Sequence, residues 1–244
     1  MRLASGDGSG VVRVWNARSG RVLWTARQVG RVADVEFSPH GDAVVTAGPQ
    51  GAVIWSASTG DRLHVLPSPL GDVKAVFSPD GRLVATAGSD SNGRLWFAAS
   101  GSIYRVLRSH KAALTDIAFS RDGRLLATAS VDHDARIWIV DTGVHWVLQR
   151  SVFGTLSSIG FDSSGRWVAA SGPISVVVWS AVSGRQLFYL RGGKQVLTGA
   201  TFAPGVPSIV SSSHDGTLRR FRCTVCVNLR ELERLAHDRL KRAG

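Results

Sequence analysis

Short apolar runs separated by polar turns recur along the whole chain, and residues 114–148 show the pattern most plainly. Leu114 to Phe119 is apolar, and Ser120-Arg121-Asp122-Gly123 follows as a turn. Leu125 to Ser130 is a second run, Val131 to Asp134 a polar turn, and Ala135 to Trp138 a third run. Asp141-Thr142-Gly143 turns again before Val144 to Leu148. Four short runs punctuated by Gly, Asp and Ser predict a four-stranded antiparallel meander.

That unit is one copy of many. Trp15, Trp55, Trp96, Trp138 and Trp179 stand 40, 41, 42 and 41 residues apart, and Phe221 takes the next place 42 residues on. Phe37, Phe77, Phe119, Phe161 and Phe202 keep the same beat, each closing an apolar run before a turn. The turn is clearest as Ser78-Pro79-Asp80-Gly81. Serine suits its first position, proline fixes φ at the second, and glycine suits the fourth. Two markers phased at about forty residues mean one structural unit copied in series.

A lone four-stranded sheet leaves both faces wet, yet these strands are almost continuously apolar. Sheets stacked around an axis cover one another and leave only short edges. The count is about 22 strands: three, then four sets of four, then three. The first unit begins at Leu3, in phase with a second strand, so its innermost strand is missing. A seven-bladed ring would need 28 strands and a six-bladed ring 24. The fold expected is therefore all-β: a β-propeller of four-stranded blades, with about five and a half to six present, an incomplete seven-bladed ring. The repeats span 1–222, and the chain reads as the C-terminal part of something longer, with an unstable fragment as one alternative.

With these motifs in view, the chain resembles the WD-repeat (WD40) family of β-propellers, most closely the C-terminal repeat region of a bacterial WD40 signalling protein. Ser109-His110, Ser130, Asp132 and Trp138 carry the resemblance in the fourth unit. It implies that His110, Ser130, Asp132 and Trp138 form a structural hydrogen-bond network within one blade, and that Trp15, Trp55, Trp96, Trp138, Trp179 and Phe221 pack between blades. Other units depart from the pattern. Asp90 and Asp215 keep the aspartate without a histidine, Pro49 and Pro173 replace it, and the dipeptide Trp-Asp never occurs.

The tail, 223–244, breaks the rhythm. Leu229, Leu232, Leu235 and Leu240 fall at helical spacing, with Asn228 and Glu231 as a capping pair, and predict a short amphipathic helix. Such endings resemble bacterial WD-repeat proteins that carry an NTPase or kinase domain upstream. Cys223 and Cys226 are one pair where a zinc site needs four ligands and sit in no redox fold, so they read as inert, part-buried thiols, with zinc and disulfide or redox use as the alternatives. Net charge is +11, with +5 of it in residues 219–244. Arg13, Arg94, Arg136 and Arg219 follow the repeat rather than an aromatic-lined patch, which argues against nucleic acid. No apolar stretch is long enough for a membrane helix or a signal peptide, and the cysteine usage fits a cytoplasmic protein.

Catalytic signatures are lacking: there is no GxxxxGK[ST] loop and no HExxH, and no cofactor or metal is implied. The residues three before the phased phenylalanines vary in charge and size: Asp34, Lys74, Asp116, Ser158 and Gly199. They enter the innermost strands at one mouth of the central channel and are the candidate partner-binding positions. The expected function is a non-enzymatic protein–protein interaction scaffold that binds other proteins or peptides, the sensor or docking end of a signalling protein. An enzymatic propeller of the hydrolase or lactonase sort is the alternative.

Overall fold

The computed structural model describes residues 1–148, 154–191, 195–203 and 208–223. They form 22 strands in six antiparallel sheets. The first sheet has three strands, β1 (Arg2–Gly6), β2 (Val11–Asn16) and β3 (Val22–Arg27). The second has β4 (Asp34–Phe37), β5 (Ala43–Gly48), β6 (Gly51–Ser56) and β7 (Arg62–Pro67). The third has β8 (Asp72–Phe77), β9 (Leu83–Gly88), β10 (Asn92–Phe97) and β11 (Ile103–Arg108). The fourth has β12 (Leu114–Phe119), β13 (Leu125–Ser130), β14 (Ala135–Ile139) and β15 (His145–Val147). The fifth has β16 (Ser158–Phe161), β17 (Trp167–Ser171), β18 (Ser175–Ser180) and β19 (Gln186–Arg191). The sixth has β20 (Leu197–Phe202), β21 (Ser208–Ser213) and β22 (Leu218–Arg222). Each sheet is a meander in chain order.

The turns explain why the strands reverse where they do. Gly41, Gly81, Gly123 and Gly165 all have φ near +70° and return their N–H groups to the carbonyls of Ser38, Ser78, Ser120 and Asp162 at 2.8–3.1 Å. An L side chain there would be strained, so glycine marks the fourth turn position even where proline is absent.

Packing runs from sheet to sheet. Val12, Val14 and Trp24 of the first sheet meet Val44 and Trp55 of the second. Val45, Ala47 and Ile54 meet Phe77 and Trp96. The same relation joins Leu95 to Trp138, Ile137 to Trp179, and Val178 to Ile209. Each interior tryptophan therefore lies on the face turned toward the preceding sheet. Trp55, Trp96, Trp138 and Trp179 are only 1–4% exposed. Trp15 and Phe221 are half-buried. Trp15 has no preceding sheet against it among the described residues. Arg220 occupies the place that Ile54, Leu95, Ile137 and Val178 hold in the other sheets.

The innermost strands β4, β8, β12, β16 and β20 pack in succession along the axis. Among the described residues no packing of that extent joins the sixth sheet back to the first. No helix occurs among the described residues, and the expected amphipathic helix falls at 224–244, outside them. No helix among these residues is long and apolar enough to cross a membrane.

Candidate functional site

The constellation most like chemistry lies in the fourth sheet. Trp138 Nε1–H donates to Thr128 Oγ1 at 2.9 Å, and Thr128 Oγ1 lies 2.8 Å from His110 Nε2. His110 Nδ1 reaches Asp132 Oδ2 at 2.9 Å. The indole can only donate and a carboxylate can only accept, so with a neutral ring the chain runs one way. Thr128 donates its hydroxyl proton to Nε2, and the proton on Nδ1 goes to Asp132. Lys111 N–H and Asp134 N–H also donate to the Asp132 carboxylate, at 2.8 and 3.0 Å.

Burial holds the His110 ring below its ordinary pKa despite the pull of Asp132. Burial raises Asp132 most, but the Lys111 and Asp134 N–H groups and His110 together carry the acid below its usual range. The ring is thus neutral, enclosed, and bonded at both nitrogens. It is a brace between β13, β14 and the loop before β12, with no lone pair left for a substrate.

The serine that sequence placed in this network stands beside it. Ser130 Oγ donates to the carbonyls of Ala112 and Ala113 and accepts the Asp132 N–H at 3.1 Å. The hydroxyl that joins tryptophan to histidine belongs to Thr128, two residues earlier. The sequence held the signal. Ser5, Thr46, Thr86 and Thr128 lie nine or ten residues before Trp15, Trp55, Trp96 and Trp138, and each accepts its tryptophan's N–H.

The second and third sheets keep this bond but replace the histidine. In the second, Thr46 donates to Gln28 Oε1 at 2.6 Å, and Gln28 Nε2 donates to the carbonyls of Arg31 and Ala47. In the third, Arg94 bonds Asp90 and Ser68. Asp72 there occupies the register position of Leu114 and Leu197. It is 3% exposed, and neither carboxylate oxygen has a hydrogen-bond partner. Burial pushes its pKa up to about 6.

The five mouth positions lie on the inner strands, and four of them are engaged between sheets. Asp34 Oδ2 accepts the N–H of Ala75 in the next sheet at 3.2 Å. Asp116 Oδ2 accepts that of Ile159 at 2.8 Å, and Ser158 Oγ that of Ala200 at 2.9 Å. Lys74 has no acceptor to offer Ile117, which bonds instead to Asp116 Oδ1 at 2.9 Å. Lys74 Nζ sits 3.4 Å from Asp34 Oδ1 with its side chain 36% exposed. Burial disfavours its charge, yet Asp34 and Asp116 hold its pKa above the ordinary value. Burial and Asp34 push Glu36 up to about 7, and burial pushes Asp116 up to about 6. Sequence assigned these residues to recognition. Asp34, Asp116 and Ser158 tie neighbouring sheets by accepting backbone N–H groups, and Lys74 and Asp34 pair across sheets with their charges partly exposed.

The repeated arginines are paired within their own sheets: Arg13 with Asp7, Arg94 with Asp90, Arg136 with Asp134 and Arg219 with Asp215. Among the described residues no group of three His, Cys, Asp or Glu side chains could hold a metal. Cys223 is buried and disulfide-bonded, not the inert thiol expected; the chain's other cysteine, Cys226, lies outside the described residues. Cysteine usage therefore gives no support to a reducing compartment.

The structure so far defines a repeat scaffold: antiparallel sheets stacked in series around inner strands, as in a propeller. Comparison with known proteins agrees. The family model for the WD domain, G-beta repeat, matches residues 60–96 and 101–138. Both matched stretches end at phased tryptophans, Trp96 and Trp138. The WD repeat-containing protein slp1 of Schizosaccharomyces pombe is 29% identical over 102 residues, covering 38% of this chain and 21% of that protein. The Ribosome biogenesis protein BOP1 homolog of Caenorhabditis elegans is 42% identical over 67 residues, covering 26% of this chain and 10% of that protein. The likeness thus spans about a fifth or less of either relative.

Proposed function

We propose that this chain is a non-enzymatic protein–protein interaction scaffold, the sensor or docking end of a larger bacterial signalling protein in the cytoplasm. The observation that carries the reading is the closure of its most reactive-looking group. His110, Thr128 and Asp132 would be mistaken for a catalytic set, but each polar atom is bonded within one sheet and the ring is enclosed. A general base must reach a substrate proton, and this one reaches only Thr128. What remains variable and partly exposed is the channel mouth around Lys74, Asp34 and Glu36, where a polypeptide partner would be recognised. A fused NTPase or kinase domain would be the output such a docking end serves.

A photoreactive amino acid placed at exposed Ala33, beside Asp34, tests this against the same group at Val182, which is 79% exposed on an outer turn. Discrete polypeptide adducts from position 33 and none from 182 are expected. Adducts from 182 alone would contradict the reading.

A further inference from the structure

The second and third sheets leave a gap where they meet beyond the end of β4. Ala43, Ile54 and Leu63 of the second sheet and Phe77 and Ala98 of the third line a cavity of about 410 Å³. The same place between the third and fourth sheets holds about 140 Å³. Side chains at matching positions account for the difference, and turn hydrogen bonds fix the match. Ser38 N–H bonds Ala43 O as Ser78 N–H bonds Leu83 O. Ser56 N–H bonds Asp61 O as Phe97 N–H bonds Ser102 O. Ala98 N–H bonds Arg82 O as Val140 N–H bonds Arg124 O. Leu63 and Tyr104 match because each follows the outer-strand partner of its tryptophan, Arg62 and Ile103.

The wider gap therefore has Ala43 for Leu83, Ser56 for Phe97, Leu63 for Tyr104 and Ala98 for Val140. All four replacements remove volume. In the third sheet Phe97 and Tyr104 meet edge to face, with ring centroids 5.1 Å apart, and both border the smaller cavity. In the second sheet neither position carries a ring. The floor left behind is apolar, with Ile54 1% and Phe77 6% exposed.

The charge at the rim changes too. Asp42 O accepts the Ala57 N–H, and Arg82, Arg124 and Arg166 hold that place in the next three sheets. An acid thus stands where three arginines stand. Ser38 Oγ donates to Asp42 Oδ1 at 2.6 Å and holds the acid below its ordinary pKa. Among the described residues no lysine or arginine lines this cavity. His64 lines it from an anchored position: Nε2–H donates to Ala99 O at 3.0 Å, and an added Cβ at Gly101 would come within 2.8 Å of it.

We propose that this cavity binds a small arylalkylamine. The aromatic ring takes the space that Phe97 and Tyr104 fill one interface further on, and the ammonium group pairs with Asp42. A volume of about 410 Å³ falls within the range of small-molecule sites. An apolar floor with one oriented charge at the rim suits a ring that carries a single cation. The chain would then sense a small ligand as well as dock a protein. This site lies at the other end of β4 from the channel mouth at Asp34, so ligand binding and the channel-mouth adducts fail separately.

The test titrates 2-phenylethylamine into the purified 244-residue protein at low salt, followed by ligand-observed NMR. Saturable binding is expected, roughly tenfold tighter than that of 3-phenylpropionate, which presents the same ring with the opposite charge. Asp42→Arg installs the residue the other sheets carry and should reverse that order, a gain that no loss of fold can mimic. Ser56→Phe combined with Leu63→Tyr should fill the cavity and abolish binding of both compounds without lowering the melting temperature. No saturable binding of the amine, or equal binding of the two compounds, would overturn the proposal. So would amine binding that survives the Ser56→Phe, Leu63→Tyr pair, because the ligand would then sit elsewhere, at the acidic channel mouth.

Discussion

Replacing Asp72 by leucine should stabilise this protein, and the gain should depend on pH in a defined direction. The carboxyl sits at a register position occupied by Leu114 and Leu197 in other sheets, without hydrogen-bond geometry at either oxygen, and the pull of Ser68, Arg94 and Thr86 only partly offsets its burial. Burial raises its pKa from 3.8 to about 6. A raised carboxyl means that the folded state prefers the proton. Stability from this group is full below pH about 4 and is lost as pH rises through about 6. Two units at ~1.4 kcal/mol each give roughly 3 kcal/mol lost by pH 7. Glu36 and Asp116 shift the same way, but they are common to both proteins and cancel in the difference. Urea denaturation followed by tryptophan fluorescence at pH 4 and pH 7 measures it. The stability difference between Asp72→Leu and the parent should widen by about 3 kcal/mol between these values, with Asp72→Asn showing most of the same pH effect. A difference that stays constant to within about 0.5 kcal/mol would refute the reasoning, because the carboxyl would then be solvated or paired in the folded state.

Three further outcomes follow from the same structure. Thr128→Val keeps the shape but leaves the Trp138 N–H and His110 Nε2 unpaired. It should cost about 2–4 kcal/mol in denaturant unfolding, and the loss should shrink when His110 is also replaced by phenylalanine. His133 holds a φ of +72° in the turn where Gly10 and Gly216 stand in other sheets, so His133→Gly should raise stability by about 1 kcal/mol in thermal unfolding. Trp179→Ala should cost ~3–5 kcal/mol, and Trp15→Ala distinctly less, since Trp179 is 1% exposed and Trp15 is half-buried.

The sheets were legible because the repeat is written twice, in tryptophans and in phenylalanines. β12 and β13 begin and end at the residues the apolar pattern marked, Leu114 to Phe119 and Leu125 to Ser130. The hydrogen-bond brace was half legible. His110, Asp132 and Trp138 stand out as polar or large residues, whereas Thr128 lies in an Ala-Thr-Ala triplet that reads as plain strand. Only its ten-residue phase to the tryptophan distinguishes it from Ser130. The mouth residues fall on the inner strands, but the groups they bond were not legible. Whether Asp116 meets a ligand or the N–H of Ile159 depends on how one sheet sits on the next, which no spacing within a single repeat encodes. Asp72 was missed because one polar residue in an apolar slot reads as an exposed strand end until its neighbours are known.

The central claim is that the histidine–threonine–aspartate set is an internal brace on a binding scaffold. The most direct measurement is the nitrogen NMR shifts of the His110 ring from about pH 5 to pH 8, spanning the ordinary histidine value. The structure predicts a neutral ring held in one tautomer, protonated at Nδ1, that takes up its second proton only below the ordinary histidine pKa. A ring that titrates near 6.5 or changes tautomer would be open to solvent and free to move protons, and would contradict it.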